Sequence, residues 1–385
     1  MAPFWVSRDW LKTMTKRHSH TTGGQLGGTQ TNARRGSVGN GAALYAALDL
    51  GTNSCRMLIA EPDGAHFRIV DAFSKSVRLG LDLERTGTLS HAGINRTLQA
   101  LHICSHKLKK LGVRNTRLIA TEACRRASNG EKFMARIRHE TGLKLEIINP
   151  AEEARLAVVS CSPLLEPKAK QVLVVDIGGG STELVWIDLS HVPPVARRKA
   201  MINARPGRHN IADLPGAQII DWISIPLGVA TLMQRYCDVQ EDGAKFALMA
   251  CHFEEMLEDF KPYQDLVDAS VLEQLQIIGT SGTVTTLGAI HLGLRRYDRN
   301  KVDGLKMRAS DVNAVVDKFL ALGPEGRRKE PGIGRDRADL IMSGSAILQT
   351  LLRIWPTNYV RVADRGLREG MLFSMMNADG VLHDE

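Results

Sequence analysis

In Val174–Trp186, VVDIGGGSTELVW, three consecutive glycines stand between an Asp and a Glu, with apolar runs outside both. Glycines reach φ > 0 cheaply and leave their amides bare, so successive N–H groups can surround a phosphate. Gly178, Gly179 and Gly180 would supply those amides, and the Ser181 and Thr182 hydroxyls further donors. Asp176 and Glu183 would repel the same phosphate unless a divalent cation stood between them. The stretch reads as half of a phosphate–metal site, although taken alone it also fits a glycine hairpin with incidental acids.

The same grammar occurs twice. Asp49-Leu50-Gly51-Thr52-Asn53-Ser54 precedes Asp176-Ile177-Gly178-Gly179-Gly180-Ser181 by 127 residues, and an apolar run follows each. A dinucleotide fold or a P-loop also sets a glycine-rich turn near an acid, but both require a helix directly afterwards. Here TELVWIDL follows, rich in β-formers and free of Gly-Lys-Ser/Thr, so each turn is predicted to join two strands.

Other groups could complete the chemistry. Asn149, Pro150 and Glu152 read as the cap, first position and third position of a helix, which makes Glu152 structural. Glu153 has no such duty and could polarise a water as a general base; spacing alone does not separate that role from a solvated helix face. Arg125 and Arg126 follow an apolar strand, where the ligand loops of α/β sheets gather, and a guanidinium there could bind phosphate oxygens in pairs. Gly279-Thr280-Ser281-Gly282-Thr283 resembles a third ligand loop at the head of a helix. VADRGLREGML, with Asp364, Gly366, Arg368 and Glu369, reads equally as a strand-to-helix turn.

Positioning these groups requires an α/β framework. YAALDLGTNSCRMLIAEPDGAHFRIVDAF predicts strand, glycine turn, strand, Pro-Asp-Gly turn, strand, and the segment after it predicts strand, loop, helix, strand, helix. A chain of 385 residues suits two domains with a cleft between them. The expected division is a Gly-rich disordered tail over 1–42, one domain over 43–160 and a second over 161–385. Residues Arg197 to Gly216 are expected to form a surface insertion lengthening the second hairpin. Six bases against one acid in 1–42 leave only +3 of the formal +8 for the rest, too little for a duplex-binding face. The tail lacks the apolar core of a signal peptide and no apolar run is long enough to span a bilayer, so a cytoplasmic protein without a membrane partner is expected. The six cysteines have no metal-like spacing and are expected to be buried free thiols.

Both hairpins, NPAEEARL, GTSGT and RGLREG, in this order, resemble the exopolyphosphatase and guanosine pentaphosphate phosphohydrolase family over about residues 45–376. The resemblance implies two RNase H-like domains of the actin, sugar-kinase and chaperone-ATPase superfamily, each giving a phosphate hairpin to the cleft. It also implies that Glu153 is the catalytic base and that Asp176 and Glu183 hold Mg²⁺ or another divalent cation or position water. Arg125 would meet the terminal phosphates. Asp49, Gly51, Thr52, Asn53 and Ser54 would form the first loop, and Gly178, Gly179, Gly180, Ser181 and Thr182 the second. Gly279, Ser281, Gly282 and Thr283 are the candidate third loop. The implied ligands are inorganic polyphosphate or guanosine pentaphosphate, and the resemblance admits a homodimer.

Two departures stand out. Asn149-Pro150-Ala151 replaces the usual Ser-Gly-x before Glu-Glu-Ala-Arg. The chain ends soon after RGLREG, short of the helical C-terminal domain of longer members, which implies shorter polyphosphates or nucleotide pentaphosphates. Rival expectations are an ATP-dependent small-molecule kinase of the same superfamily and a non-catalytic sensor of polyphosphate or alarmone.

Overall fold

A computed structural model describes residues 43–81, 83–204, 217–265, 267–334 and 337–383. The basic tail over 1–42 lies outside them, as does 205–216 of the expected insertion. The chain from Ala42 onward is one compact unit.

Two sheets carry the fold. In the first, β1 (Tyr45–Leu50), β2 (Ser54–Asp63), β3 (His66–Ser76), β4 (Asn115–Ala120) and β5 (Glu146–Ile147) lie in the order β3-β2-β1-β4-β5. In the second, β6 (Gln171–Ile177), β7 (Thr182–Asp188), β8 (Gln218–Ile225), β9 (Leu275–Thr280), β10 (Lys306–Arg308) and β11 (Tyr359–Ala363) run β10-β11-β9-β6-β7-β8. Apart from β10, the orders are the same. Each sheet opens with an antiparallel three-strand meander and continues through a parallel neighbour, β1 to β4 and β6 to β9. The duplicated motif is thus a duplicated topology.

Burial explains the strand patterns. YAALDL and QVLVVDI are almost continuously apolar because these central strands are covered on both faces, whereas β3, at an edge, is half-buried at best along its length. The expected turn after Pro62-Asp63 is present, with Gly64 at φ 59 joining β2 to β3.

Helices close the layers: α1 (His91–Lys110), α2 (Glu122–Arg126), α3 (Gly130–Thr141), α4 (Pro150–Cys161), α5 (Arg197–Asn203), α6 (Val229–Arg235), α7 (Gly282–His291), α8 (Ile341–Ile354) and α9 (Leu367–Ala378) carry the relevant contacts. The second sheet's core gathers Trp186, Phe260 and Trp355, whose rings meet edge-on at centroid distances of 5.6 Å and 5.8 Å. α4 serves both sheets. Its Ala154, Ala157, Val158 and Cys161 pack with Val172, Val174 and Val185 of the second sheet, and its Leu156 joins Tyr45 and Ala47 of the first. α9 returns from the second sheet to the first, where Met371, Leu372 and Met376 pack against β1. The two helices cross closely, because a Cβ on Gly370 would stand 2.1 Å from the Leu156 carbonyl oxygen.

Two expectations change. The segment from Arg197 is not wholly superficial: Met201 is fully buried, and the buried Arg197 guanidinium donates to the Val192 and Pro167 carbonyls. Only four of the six cysteines are buried, since Cys237 and Cys251 are exposed. Among the described residues, no helix is long and apolar enough to cross a membrane.

Candidate active site

The two glycine turns close with the same bond. Gly51 N–H donates to the Ser54 carbonyl at 3.0 Å, and Gly178 N–H to the Ser181 carbonyl at 2.9 Å. Both turns sit at the carboxyl ends of parallel strands, where α/β sheets form their crevices. None of Gly51, Gly178, Gly179 or Gly180 is at positive φ, contrary to expectation. At Gly178 and Gly180 close approach is what excludes a side chain instead. A Cβ on Gly178 would lie 2.8 Å from the Ser181 carbonyl oxygen, and one on Gly180 would lie 2.5 Å from Glu122 Oε2. Glu122 belongs to α2 beside the first sheet, so the second turn rests against the opposite lobe.

Behind each turn stands a second glycine. Gly228, at the head of α6, would drive a Cβ to 2.5 Å from the Gly178 carbonyl oxygen. The Val229 and Ala230 N–H groups donate to the Gly178 and Gly179 carbonyls at 3.0 and 2.8 Å. Gly80 lies against the Thr52 side chain and donates to the Thr52 carbonyl at 2.9 Å. Sequence reasoning missed both, yet the signal is there: Ser76-Val77-Arg78-Leu79-Gly80-Leu81 matches Ser224-Ile225-Pro226-Leu227-Gly228-Val229.

Four carboxylates converge between the turns. Asn149 caps α4 by accepting from Glu152 N–H at 2.8 Å, and Glu152 then pairs with Arg155 and Arg117. Its neighbour Glu153 lies 15% exposed, with Oε2 3.3 Å from Arg125 Nη1. Burial, followed by the charges of Glu183, Asp49 and Asp176, pushes the Glu153 pKa up to about 8 against the pull of Arg125. Asp176 is raised to about 7 by burial and then by Glu183 and Asp49. Burial also raises Asp49 and Glu183. The charges of Glu183, Asp49 and Asp176 all bear on Glu153.

Asp49 pairs in register with Arg56, whereas Asp176 pairs with Glu183. The duplicated turns therefore differ in charge: acid with base in the first, acid with acid in the second. Arg56 reaches solvent in the open cleft yet is closely surrounded, and desolvation, then the charge of Arg368, lowers its pKa. Arg337 acts on it in the same sense. Arg56, Arg337 and Arg368 thus form an arginine wall, with Arg56 and Arg368 beside Asp49.

The sequence profile of the Ppx/GppA phosphatase family matches residues 58–379. The chain belongs to that family. A solved Ppx/GppA protein from Aquifex aeolicus aligns with a TM-score of 0.71 at 28% identity, covering 88% of this chain and 98% of that one. This establishes the expected α/β fold, built on two sheets of like strand order. An exopolyphosphatase from Cytophaga hutchinsonii shares the fold at 22% identity and a TM-score of 0.70, over 87% of this chain and 98% of its own. A curated relative, guanosine-5'-triphosphate,3'-diphosphate pyrophosphatase of Aeromonas salmonicida, is 27% identical over 334 residues, 86% of this chain. The chain spans 59% of that relative's length.

In this Ppx/GppA member the sequence-derived residues divide by position. Asp49, Glu153, Asp176, Glu183 and Arg125 come together, with both turns at their edge. Arg125 is steered by donating to the Ile148 carbonyl at 2.7 Å. Thr182 stands behind its loop: fully buried, its hydroxyl donates to the Leu227 carbonyl at 2.7 Å. Ser181 donates to Glu183 Oε1 at 2.6 Å and Ser224 to the same oxygen at 3.0 Å, so both orient the carboxylate. In the third loop, Gly279 backs onto Val284, and Thr283 lies against Gly344 of α8, away from the cleft. The donor set suits a hard divalent cation, because it is all carboxylate oxygen and the buried Asp49 Oδ1 finds no hydrogen-bond partner among the described residues. Among those residues, no three potential ligands already enclose a metal position. A magnesium ion needs no such cage, since it commonly takes one or two carboxylates together with phosphate oxygens and water.

Proposed function

We propose that this Ppx/GppA protein is a phosphohydrolase that releases the terminal orthophosphate of inorganic polyphosphate or guanosine pentaphosphate. The observation that carries the reading is the meeting of Glu153 and Arg125 with Asp49, Asp176 and Glu183 between two amide-lined turns. Burial, with the acid cluster adding to it, pushes Glu153 up to about 8, which tunes a base for work near neutral pH.

Turn amides and Arg125 hold the terminal phosphoryl group, and the arginine wall takes the rest of the polyanion. A water oxygen attacks the terminal phosphorus, the bridging P–O bond breaks, and its electron pair leaves with the shortened chain. Glu153 accepts the proton that the water gives up. Asp176 and Glu183 would hold Mg²⁺, which when bound offsets phosphate charge and polarises an oxygen. Ser181 and Ser224 keep Glu183 oriented for that duty.

Phosphate release from short polyphosphate, long polyphosphate and guanosine pentaphosphate, measured with Mg²⁺, tests the reading. Release from at least one is expected. Label passing from ATP to an acceptor would instead support a kinase, and tight binding without release at any metal concentration a sensor.

A further inference from the structure

Among the described residues, Tyr297 is the only aromatic side chain largely open to solvent, at 48% exposed. A surface tyrosine ordinarily lays its ring on the protein and points its hydroxyl at water. Here the hydroxyl is the part that is held. It donates to Asp364 Oδ2 at 2.7 Å and lies beside Thr285, in the first turn of α7. The backbone is fixed between α7 and the short helix Arg299–Val302. With both ends tied, the ring is left as the open surface.

Asp364 sets where that surface stands. It follows Ala363, which pairs with Thr280, and Thr280 pairs with Asp176, so Asp364 and Asp176 lie at the same carboxyl edge of the second sheet. Arg299 links Asp364 onward to the acid cluster. Its Nη2 donates to the Asp364 carbonyl at 2.6 Å and to Glu369 Oε1 at 2.9 Å, and the charge of the buried Glu369 acts on both Asp49 and Arg56. On the other side Thr286, next to Thr285, accepts from Arg337 Nη1 at 3.0 Å. The ring therefore sits at the rim of the cleft, close to the arginine wall.

An inorganic polyphosphate offers charged oxygens and gains nothing from an uncharged ring. A nucleoside offers a π-face, and stacking one base on an aromatic side chain is worth about 1–3 kcal/mol. We propose that Tyr297 is the platform on which the base of a nucleoside polyphosphate stacks, its phosphates running past the arginine wall toward Asp49 and Asp176. This rests on the phosphoanhydride reading above and selects, of its two substrates, the one that carries guanosine.

The test uses the full chain carrying E153Q, so that ligand is not turned over, and measures binding of guanosine pentaphosphate and of tripolyphosphate with Mg²⁺ by calorimetry. Adding Y297A is expected to weaken guanosine pentaphosphate binding about tenfold or more, while tripolyphosphate, which has no base, stays within about twofold. Adding Y297F keeps the ring and removes the bond to Asp364, so guanosine pentaphosphate binding is expected to stay within about threefold of the parent. Guanosine pentaphosphate binding that is absent in the parent, or unchanged in Y297A, overturns the proposal. Equal loss for both ligands in Y297A overturns it too, as does a loss in Y297F as large as that in Y297A, since the hydroxyl network and not the ring would then be what matters. Phosphate release by the wild-type chain is a separate readout: release from neither ligand would sink the hydrolase reading and leave the Tyr297 comparison legible.

Discussion

Glu153 Oε2 stands 3.3 Å from Arg125 Nη1, and the guanidinium pulls the Glu153 pKa down while burial and three carboxylates push it up. Glu153→Gln should lower phosphate release by about 10²–10⁴-fold and leave tripolyphosphate binding intact. Arg125→Ala should move the rising, acid-side limb of the kcat/KM pH profile to higher pH, because the base loses an opposing charge. Arg125→Lys should restore the position of that limb better than the rate, since an ammonium supplies charge without the planar fork. A limb that stays in place in Arg125→Ala would separate the pair functionally.

The same cluster sets a pH dependence of stability. Glu153 and Asp176 titrate at about 8 and about 7 in the folded chain, above their ordinary values of 4.5 and 3.8. Between those limits the folded state binds more protons than the unfolded state, so their contribution to stability is full below about pH 4 and lost as pH rises toward 8. Without divalent metal, Tm should therefore fall from pH 5 to pH 8. Glu153→Gln should flatten that fall by on the order of 1 kcal/mol, readable by calorimetry at the two pH values. A parallel pair of Tm curves would show that Glu153 does not titrate in that range.

Arg56 occupies in the first turn the place that Glu183 occupies in the second, directly across from the leading Asp. It opposes the rise in pKa of both Asp49 and Asp176, and its own pKa is lowered by desolvation and then by the neighbouring Arg368. Such crowding of like charge is relieved by an anion. Arg56→Gln should raise KM for tripolyphosphate about tenfold, with a smaller change in kcat and a shallower dependence of KM on salt. Equal loss in kcat and kcat/KM would instead place Arg56 on the reacting phosphoryl group.

Local chemistry made much of this legible in advance. The alternation around Pro62-Asp63-Gly64, the Asn149 cap and the paired Asp–Gly turns each follow from preferences acting within a few residues. What escaped was close approach between distant segments. Gly178 closes on Ser181 within its own turn, but Gly180 is a glycine because of Glu122, more than fifty residues earlier, so φ was the wrong reason for both. Arg56 was readable all the same, since laying one turn over the other sets it against Glu183. The helix Arg197–Asn203 was misjudged because a basic, polar stretch gives no sign that Met201 will find an apolar surface.

The contacts of Gly180 and Gly228 differ in kind, and that difference predicts opposite responses to one methyl group. At Gly228 the obstacle is backbone: a Cβ would meet the Gly178 carbonyl oxygen and the Gly179 carbonyl carbon at 2.5 Å each, while two N–H groups of α6 bind the same loop. Neither partner can swing aside. Gly228→Ala should cost about 1–3 kcal/mol and distort the turn, lowering both Tm and phosphate release. At Gly180 the obstacle is the end of the Glu122 side chain, which can rotate away from Arg126 into the cleft. Gly180→Ala should therefore be milder, and Glu122→Ala should rescue it, giving a coupling free energy of about 0.5 kcal/mol or more in a double-mutant cycle read by denaturant unfolding. Additive effects in that cycle would mean that Glu122 does not rest on the second turn.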